Sequence, residues 1–133
     1  MATPHGQADG GYLSNAFDFV KLVEQGRLML IDKDFDTFVG TGLSGTIGAS
    51  VLAAALNKHL LIVRKPDDTG NHSGNKVEGR IGQKWVFVDD MISSGATLQR
   101  VQEVVSGLEG APQYVASYTY GAYRGEPLWR VVP

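Results

Sequence analysis

An α/β fold with a mainly parallel central sheet and helices on both faces is what this sequence predicts. Short runs of continuous apolar residues, "LLIV" (60–63) and "WVFV" (85–88), read as strands buried on both sides. Helical patterns of about a dozen residues separate them, the spacing of βαβ units. Two Gly/Ser-rich segments, 40–46 and 93–97, follow strands and lead into helices. Both therefore belong on one edge of the sheet, beyond the carboxyl ends of the strands, where such sheets bind ligands.

The elements follow in chain order. The first eleven residues, "MATPHGQADGG", have neither the basic start nor the apolar block of a signal peptide. They read as a flexible tail, with residues 12–133 as a single domain. Ser14 or Asn15 caps a helix that runs to about Gln25 and stops at Gly26. "LMLI" (28–31) is an apolar run of undefined type, and "FDTFVG" (35–40) is a strand ended by Gly40. From Gly45 to Asn57, the residues Ile47, Val51, Leu52, Ala55 and Leu56 share one helical face. Leu98, Val101, Val104, Val105 and Leu108 mark a second helix, closed by Gly110. "YVASYTY" (114–120) is a further strand, and "LWRVV" (128–132) a short terminal one. The segment 65–84, "KPDDTGNHSGNKVEGRIGQK", breaks the alternation with glycines and charges. A loop that long in so small a domain is a functional lid or a disordered surface loop.

Composition narrows the function classes. A chain of 133 residues fits one domain with one core, and 43% hydrophobic against 20% charged residues is an ordinary soluble balance. A net charge of −2 argues against a general nucleic-acid binder but leaves room for a local basic pocket. The absence of cysteine excludes disulfides, thiolate zinc sites and cysteine nucleophiles, and fits a reducing cytoplasm. No stretch approaches the roughly 18 apolar residues of a membrane span.

The chemistry-bearing stretch is "WVFVDDMISSGATL" (85–98). A Ser/Gly turn that opens a helix aims several backbone N–H groups at one spot, and the helix dipole adds positive character there. The hydroxyls of Ser93, Ser94 and Thr97 add donors, which suits a phosphate monoester. Taken alone, the same residues are explained by helix capping. Asp89 and Asp90 shift the balance, because a cap has no need of two adjacent carboxylates at the end of a buried strand. Beside a phosphate they would face a sugar whose vicinal hydroxyls donate to them. A Mg²⁺ ion held through those hydroxyls would relieve their repulsion.

"GTGLSGT" (40–46) satisfies G-x-G-x-x-G at Gly40, Gly42 and Gly45, between a strand and a helix. A dinucleotide site would carry an acidic residue about 20 positions on. Arg64 and Lys65 stand there instead. They fit a 2′-phosphate, a pyrophosphate, or no ligand at all if the glycines merely pack a helix on a strand. His72 lies in the long loop near Lys76 and Arg80, a cationic set that could close over an anion or remain solvated. His5 is in the tail and His59 at a helix end, so no histidine metal site is formed. Tyr118, Tyr120, Tyr123 and Trp129 either stack on a flat base or fill the core; whichever of Tyr118 and Tyr120 faces inward belongs to the core.

"VFVDDMISSGAT" resembles the PRPP-binding motif of the type I phosphoribosyltransferases: a hydrophobic strand, two acidic residues, then Thr or Ser, Gly, any residue, and Thr. Asp89, Asp90, Ser94, Gly95 and Thr97 meet it. "VRKPDDTGNHSGNKVEG" is similar to the flexible-loop region of the orotate enzymes, and "VGTGLSGT" falls where the family has its pyrophosphate loop. The resemblance covers about residues 38 to 105. It implies the type I phosphoribosyltransferase fold, here with a small or reduced hood, because the base-binding extension of orotate enzymes has no match in residues 1–34.

The resemblance also implies roles. Asp89 and Asp90 take the ribose of PRPP, with Mg²⁺ bound indirectly through its hydroxyls. Ser93, Ser94, Gly95, Ala96 and Thr97 cradle the 5′-phosphate, and Thr41, Gly42, Leu43, Ser44 and Gly45 meet the pyrophosphate. Arg64, Lys65, His72 and Lys76 assist as the loop closes. The implied reaction is phosphoribose transfer to a nucleobase, and the implied assembly a homodimer. Three positions depart from the pattern. Ser44 stands where Lys or Arg is common, Gly70 where the orotate-type loop has lysine, and Ser93 where hypoxanthine/guanine enzymes have an acid. A non-catalytic PRPP sensor and a dinucleotide-binding module are the competing expectations.

Overall fold

Strand β1 (Thr37–Thr41) is buried at every position, and β4 (Lys84–Asp89) at every position after its first. A strand covered on both faces requires continuous apolar sequence, which is why these segments carry no polar alternation. The computed structural model describes residues 14–66, 75–123, 126–127 and 129–133. Its main sheet has six strands, adding β2 (His59–Val63), β3 (Val77–Gly79), β5 (Gln113–Thr119) and β8 (Arg130–Val132). Their order is β3-β2-β1-β4-β5-β8. The four inner strands run parallel, while β3 and β8 are antiparallel edges. Two-residue strands β6 (Ala122–Tyr123) and β7 (Glu126–Pro127) pair separately.

Alternate residues of each strand serve opposite cores. Phe38, Val86, Val88, Tyr118 and Tyr120 pack with Leu22 of α1 (Phe19–Met29) and Leu52 of α2 (Gly42–Leu56). Val39, Leu61, Val63, Trp85 and Phe87 pack with Val101 and Val105 of α3 (Ala96–Ser106). The predicted α/β layering, with a mainly parallel sheet covered on both faces, is therefore what forms. At the opposite edge from the strand ends of interest, Asp36 accepts from the Thr37 hydroxyl and from the N–H groups of Gln83 and Lys84. Burial opposes its charge, yet these donors outweigh it and hold the carboxyl below its usual range.

Several boundaries differ from expectation. The first helix is capped by Asp18, which accepts from the Lys21 N–H at 3.2 Å, and Ser14–Phe17 form a 3-10 turn before it. Gly26 does not stop α1 but lies buried within it. A Cβ there would stand 2.8 Å from Leu52 Cδ2 and 3.2 Å from Tyr118 Cε2. The glycine is thus where α1 presses on α2 and the sheet, and the apolar run after it begins in the last turn of that helix and passes through its cap, Leu30, into a turn. The helix α3 ends at Ser106 with Gly107 as its cap, not at Gly110. His59 opens β2 and does not sit at a helix end.

The segment 65–84 is not one uninterrupted loop. Its later part contributes β3, paired to β2, and Val77 and Ile81 pack on the α3-side core. Those two apolar residues suffice because an edge strand needs only one covered face. His72, residues 67–74 around it and the tail 1–11 lie outside the described residues. Phe17, Phe19, Val20, Leu28 and Ile31 form an exposed apolar surface on and beside α1. Among the described residues, no helix is long and apolar enough to cross a membrane.

Candidate functional site

Because β1, β2 and β4 run parallel, Thr41, Val63 and Asp89 finish on the same edge of the sheet. Helices α2 and α3 begin on that edge, so both present unpaired N–H groups and positive dipole ends to it. Residues Thr41 to Gly45 are the cap and first turn of α2. Residues Ser93 to Thr97 form the turn into α3, with Gly95 as its N-cap at φ +84°. The Ser94 hydroxyl accepts from the Ala96 N–H at 3.2 Å, shaping that turn, and neither Ser93 nor Thr97 is buried. Phe87, Asp89, Ile92, Ser93, Gly95 and Thr97 line a small pocket there.

The glycines of the first segment do mainly steric work. A Cβ on Gly40 would stand 2.7 Å from the carbonyl carbon of Gly45, and one on Gly45 would stand 2.9 Å from Val88 O. Gly48 is closed in similarly by Tyr120 and Val88. Close packing of α2 on β1 and β4 thus accounts for Gly40, Gly45 and Gly48 without a dinucleotide. Gly42 is different, with φ +66°, a conformation that L residues rarely adopt. Lys65 lies over it, with Nζ 3.2 Å from where a Cβ would be. Leu43 is exposed, and a hollow runs from Gly42, Leu43 and Thr46 across to Arg64 and Lys65. Arg64 also pairs with Glu78 at 3.6 Å. Lys76 is exposed, and its carbonyl accepts from the Arg64 N–H at 2.8 Å.

The acidic pair occupies the centre. Asp89 is only 8% exposed and accepts from the Ser44 hydroxyl at 2.8 Å and from the Asp90 N–H at 2.8 Å. Burial first, then the neighbouring Asp90 carboxyl, push its pKa up to about 6, against the lowering effect of those two donors. Asp90 accepts from the Met91 N–H at 2.9 Å and is less buried. Its carbonyl accepts from the Gly121 N–H at 2.7 Å, and Tyr120 donates its hydroxyl to Ser44 O at 2.6 Å. Tyr120, one residue beyond β5, thereby ties the end of that strand to the first turn of α2. Tyr118 is equally buried, donates to Leu22 O, and stacks on Trp129. Both tyrosines serve the core, since residues two apart on a strand share a face.

Two features were not legible in the sequence. The Ser44–Asp89 hydrogen bond joins residues 45 positions apart. Arg100, half-buried on α3, donates Nη2 to the Thr41 hydroxyl at 3.1 Å and Nη1 to Arg64 O at 3.3 Å. The Thr41 hydroxyl in turn donates to Val63 O at 2.6 Å. The only sequence signal for Arg100 was its place one helical turn after Thr97.

No family model matches the chain. An orotate phosphoribosyltransferase of Streptococcus agalactiae serotype III is 34% identical over 117 residues, which span 82% of this chain and 54% of that protein. The chain thus spans about half the length of the curated relatives it matches. The crystal structure of the orotate phosphoribosyltransferase from Aeropyrum pernix superposes with a TM-score of 0.58 at 28% identity, over 84% of this chain and 59% of that one. The Mycobacterium tuberculosis orotate phosphoribosyltransferase, solved in complex with PRPP, matches in fold with a TM-score of 0.58 at 21% identity, over 80% of this chain and 63% of that one. The chain has the type I phosphoribosyltransferase fold, and its motif and sequence support an orotate-type relationship to that family.

Proposed function

We propose that this chain is a cytoplasmic, Mg²⁺-dependent phosphoribosyltransferase that moves phosphoribose from PRPP to a nucleobase, with orotate the first to test. The observation that carries the reading is the position of Asp89 and Asp90 between two helix N-termini on one sheet edge. One terminus suits a monoester and the other a pyrophosphate, spaced on either side of a group that binds hydroxyls. The relatives named above support the choice of PRPP.

In this reading Asp89 and Asp90 accept hydrogen bonds from the ribose hydroxyls. The N–H groups and hydroxyls of Ser93 to Thr97 hold the 5′-phosphate. The N–H groups of Thr41 to Gly45 hold the pyrophosphate, with Arg64 and Lys65 beside them. His72 and Lys76 close over the reactants. A base nitrogen displaces pyrophosphate at the anomeric carbon through an oxocarbenium-like transition state, so the chain acts by positioning and by stabilising the departing charge. Among the described residues no group of three or more His, Asp or Glu forms a protein-only metal site. Two adjacent carboxylates with one ionisation disfavoured suit a hard cation held through ligand oxygens instead. Bound there, Mg²⁺ would offset charge on the pyrophosphate.

The test is pyrophosphate release from PRPP and Mg²⁺ across orotate, uracil, adenine, guanine, hypoxanthine and xanthine. Release that depends on one base is the expected outcome, with Asp90→Asn reducing it at least about a hundredfold. Equal PRPP binding by Asp90→Asn and the parent would remove the reading. Ser44 gives one observation for a second reading, a PRPP sensor, since its hydroxyl is engaged with Asp89 where relatives often carry a cation. Tight PRPP binding without turnover of any base would select it. A homodimer belongs to the proposal, and light scattering should give twice the chain mass; a monomer at working concentration would exclude that part.

A further inference from the structure

Residues 40–46 contain no Lys or Arg, so whatever positive charge serves the first turn of α2 must come from elsewhere in the fold. Besides Arg64, which pairs with Glu78, two side chains among the described residues supply it. Lys65 reaches back over Gly42 from the end of β2. Arg100 approaches from α3, on the opposite face of the sheet from α2. Its guanidinium bridges the Thr41 hydroxyl and Arg64 O, one at the end of β1 and the other just beyond β2. With the Thr41 hydroxyl on Val63 O, this makes a closed set of bonds that sets the distance between the two chain ends. Those ends carry Gly42 and Lys65.

We infer that Arg100 is a positioning residue for the pyrophosphate subsite, holding the first turn of α2 against Lys65 and adding its own charge beneath that turn. The inference rests on the PRPP reading above. A planar fork can bond two acceptors at once, whereas an ammonium is a single point charge, so lysine would not reproduce the bridge. The bond to a hydroxyl and a carbonyl leaves the guanidinium charge unneutralised by either partner. A dianionic or more highly charged group above Thr41 and Gly42 would feel it through a partly desolvated path.

The experiment is calorimetric titration of the full chain with inorganic pyrophosphate and, separately, with orotidine 5′-monophosphate, which carries a 5′-phosphate but no pyrophosphate. Parent, Arg100→Met and Arg100→Lys are compared, with thermal melts as a check on folding. Pyrophosphate affinity should fall about thirtyfold or more in Arg100→Met and by a smaller factor in Arg100→Lys, with nucleotide affinity within about twofold of the parent in both. Equal losses for both ligands would assign Arg100 a general structural role and overturn the inference. Unchanged pyrophosphate affinity in either variant would do the same while leaving the PRPP reading intact. If Arg100→Met does not fold, Arg100→Lys decides alone. A parent that binds the nucleotide but not pyrophosphate would overturn both the inference and the subsite it serves.

Discussion

Asp89→Asn should melt higher than the parent at pH 8 and, on the proposed function, transfer at least about a hundredfold less phosphoribose. The structural cause is the burial of a carboxylate at 8% exposure beside a second acid. Its pKa rises from 3.8 to about 6, so the folded chain holds the proton more tightly than the unfolded chain does. Stability contributed by this group is therefore fully present below the unfolded value. It declines as pH rises towards 6 and stays low above. The cost at neutral pH is at most about 3 kcal/mol. Asparagine has the same shape, can accept from Ser44 and Asp90 N–H, and never ionises. The variant should match the parent near pH 3.5 and gain on it up to pH 6, settling several degrees higher. Melting curves from pH 4 to 8 check this. A variant less stable than the parent at pH 8 would mean that the ionised Asp89 is well compensated in the free protein and its pKa is not raised. PRPP with Mg²⁺ should raise the melting temperature of the parent but not of the variant.

Gly40→Ala should cost about 3 kcal/mol and weaken the proposed PRPP binding as well. The new methyl would meet backbone, Gly45 and its carbonyl, and the Ala49 side chain at 3.1 Å. Backbone cannot rotate away as a flexible side chain can, so α2 must lift from β1. That displaces Thr41 and Gly42 from Arg100 and Lys65, the contacts that shape the proposed pyrophosphate subsite. Gly107→Ala is the contrasting control. Gly107 caps α3 at φ −83°, and a Cβ there meets nothing closer than 3.5 Å. It should be neutral or stabilise by up to about 1 kcal/mol. Denaturant unfolding of the two variants separates steric packing from mere loss of glycine flexibility. Similar stabilities would remove the packing account of the glycine pattern.

Features written in contiguous residues were legible before any fold was known. "WVFV" and "LLIV" announced strands covered on both faces, because burial on two sides demands an unbroken apolar run. Asp89 to Thr97 was legible because one strand end, one turn and one helix start lie within nine residues. A local backbone turn then fixes how carboxylates and N–H groups face one another. The central motif of the family resemblance rested on that same compactness.

Tertiary structure decided the rest. The sequence placed the cap of α1 at Ser14 or Asn15, whereas the fold places it at Asp18, an equally competent residue that only the observed start of the helix singles out. Gly26 looked like a stop until α2 and Tyr118 showed why the helix runs through it. The outer strand β3 came from a polar stretch, because an edge needs little apolar surface once β2 offers it hydrogen bonds. Asp89 with Ser44, and Arg100 with Thr41 and Arg64, span 36 to 59 positions. No periodicity within one segment encodes such pairs. They arise only when parallel strands bring their carboxyl ends, and the helices that start there, to the same edge.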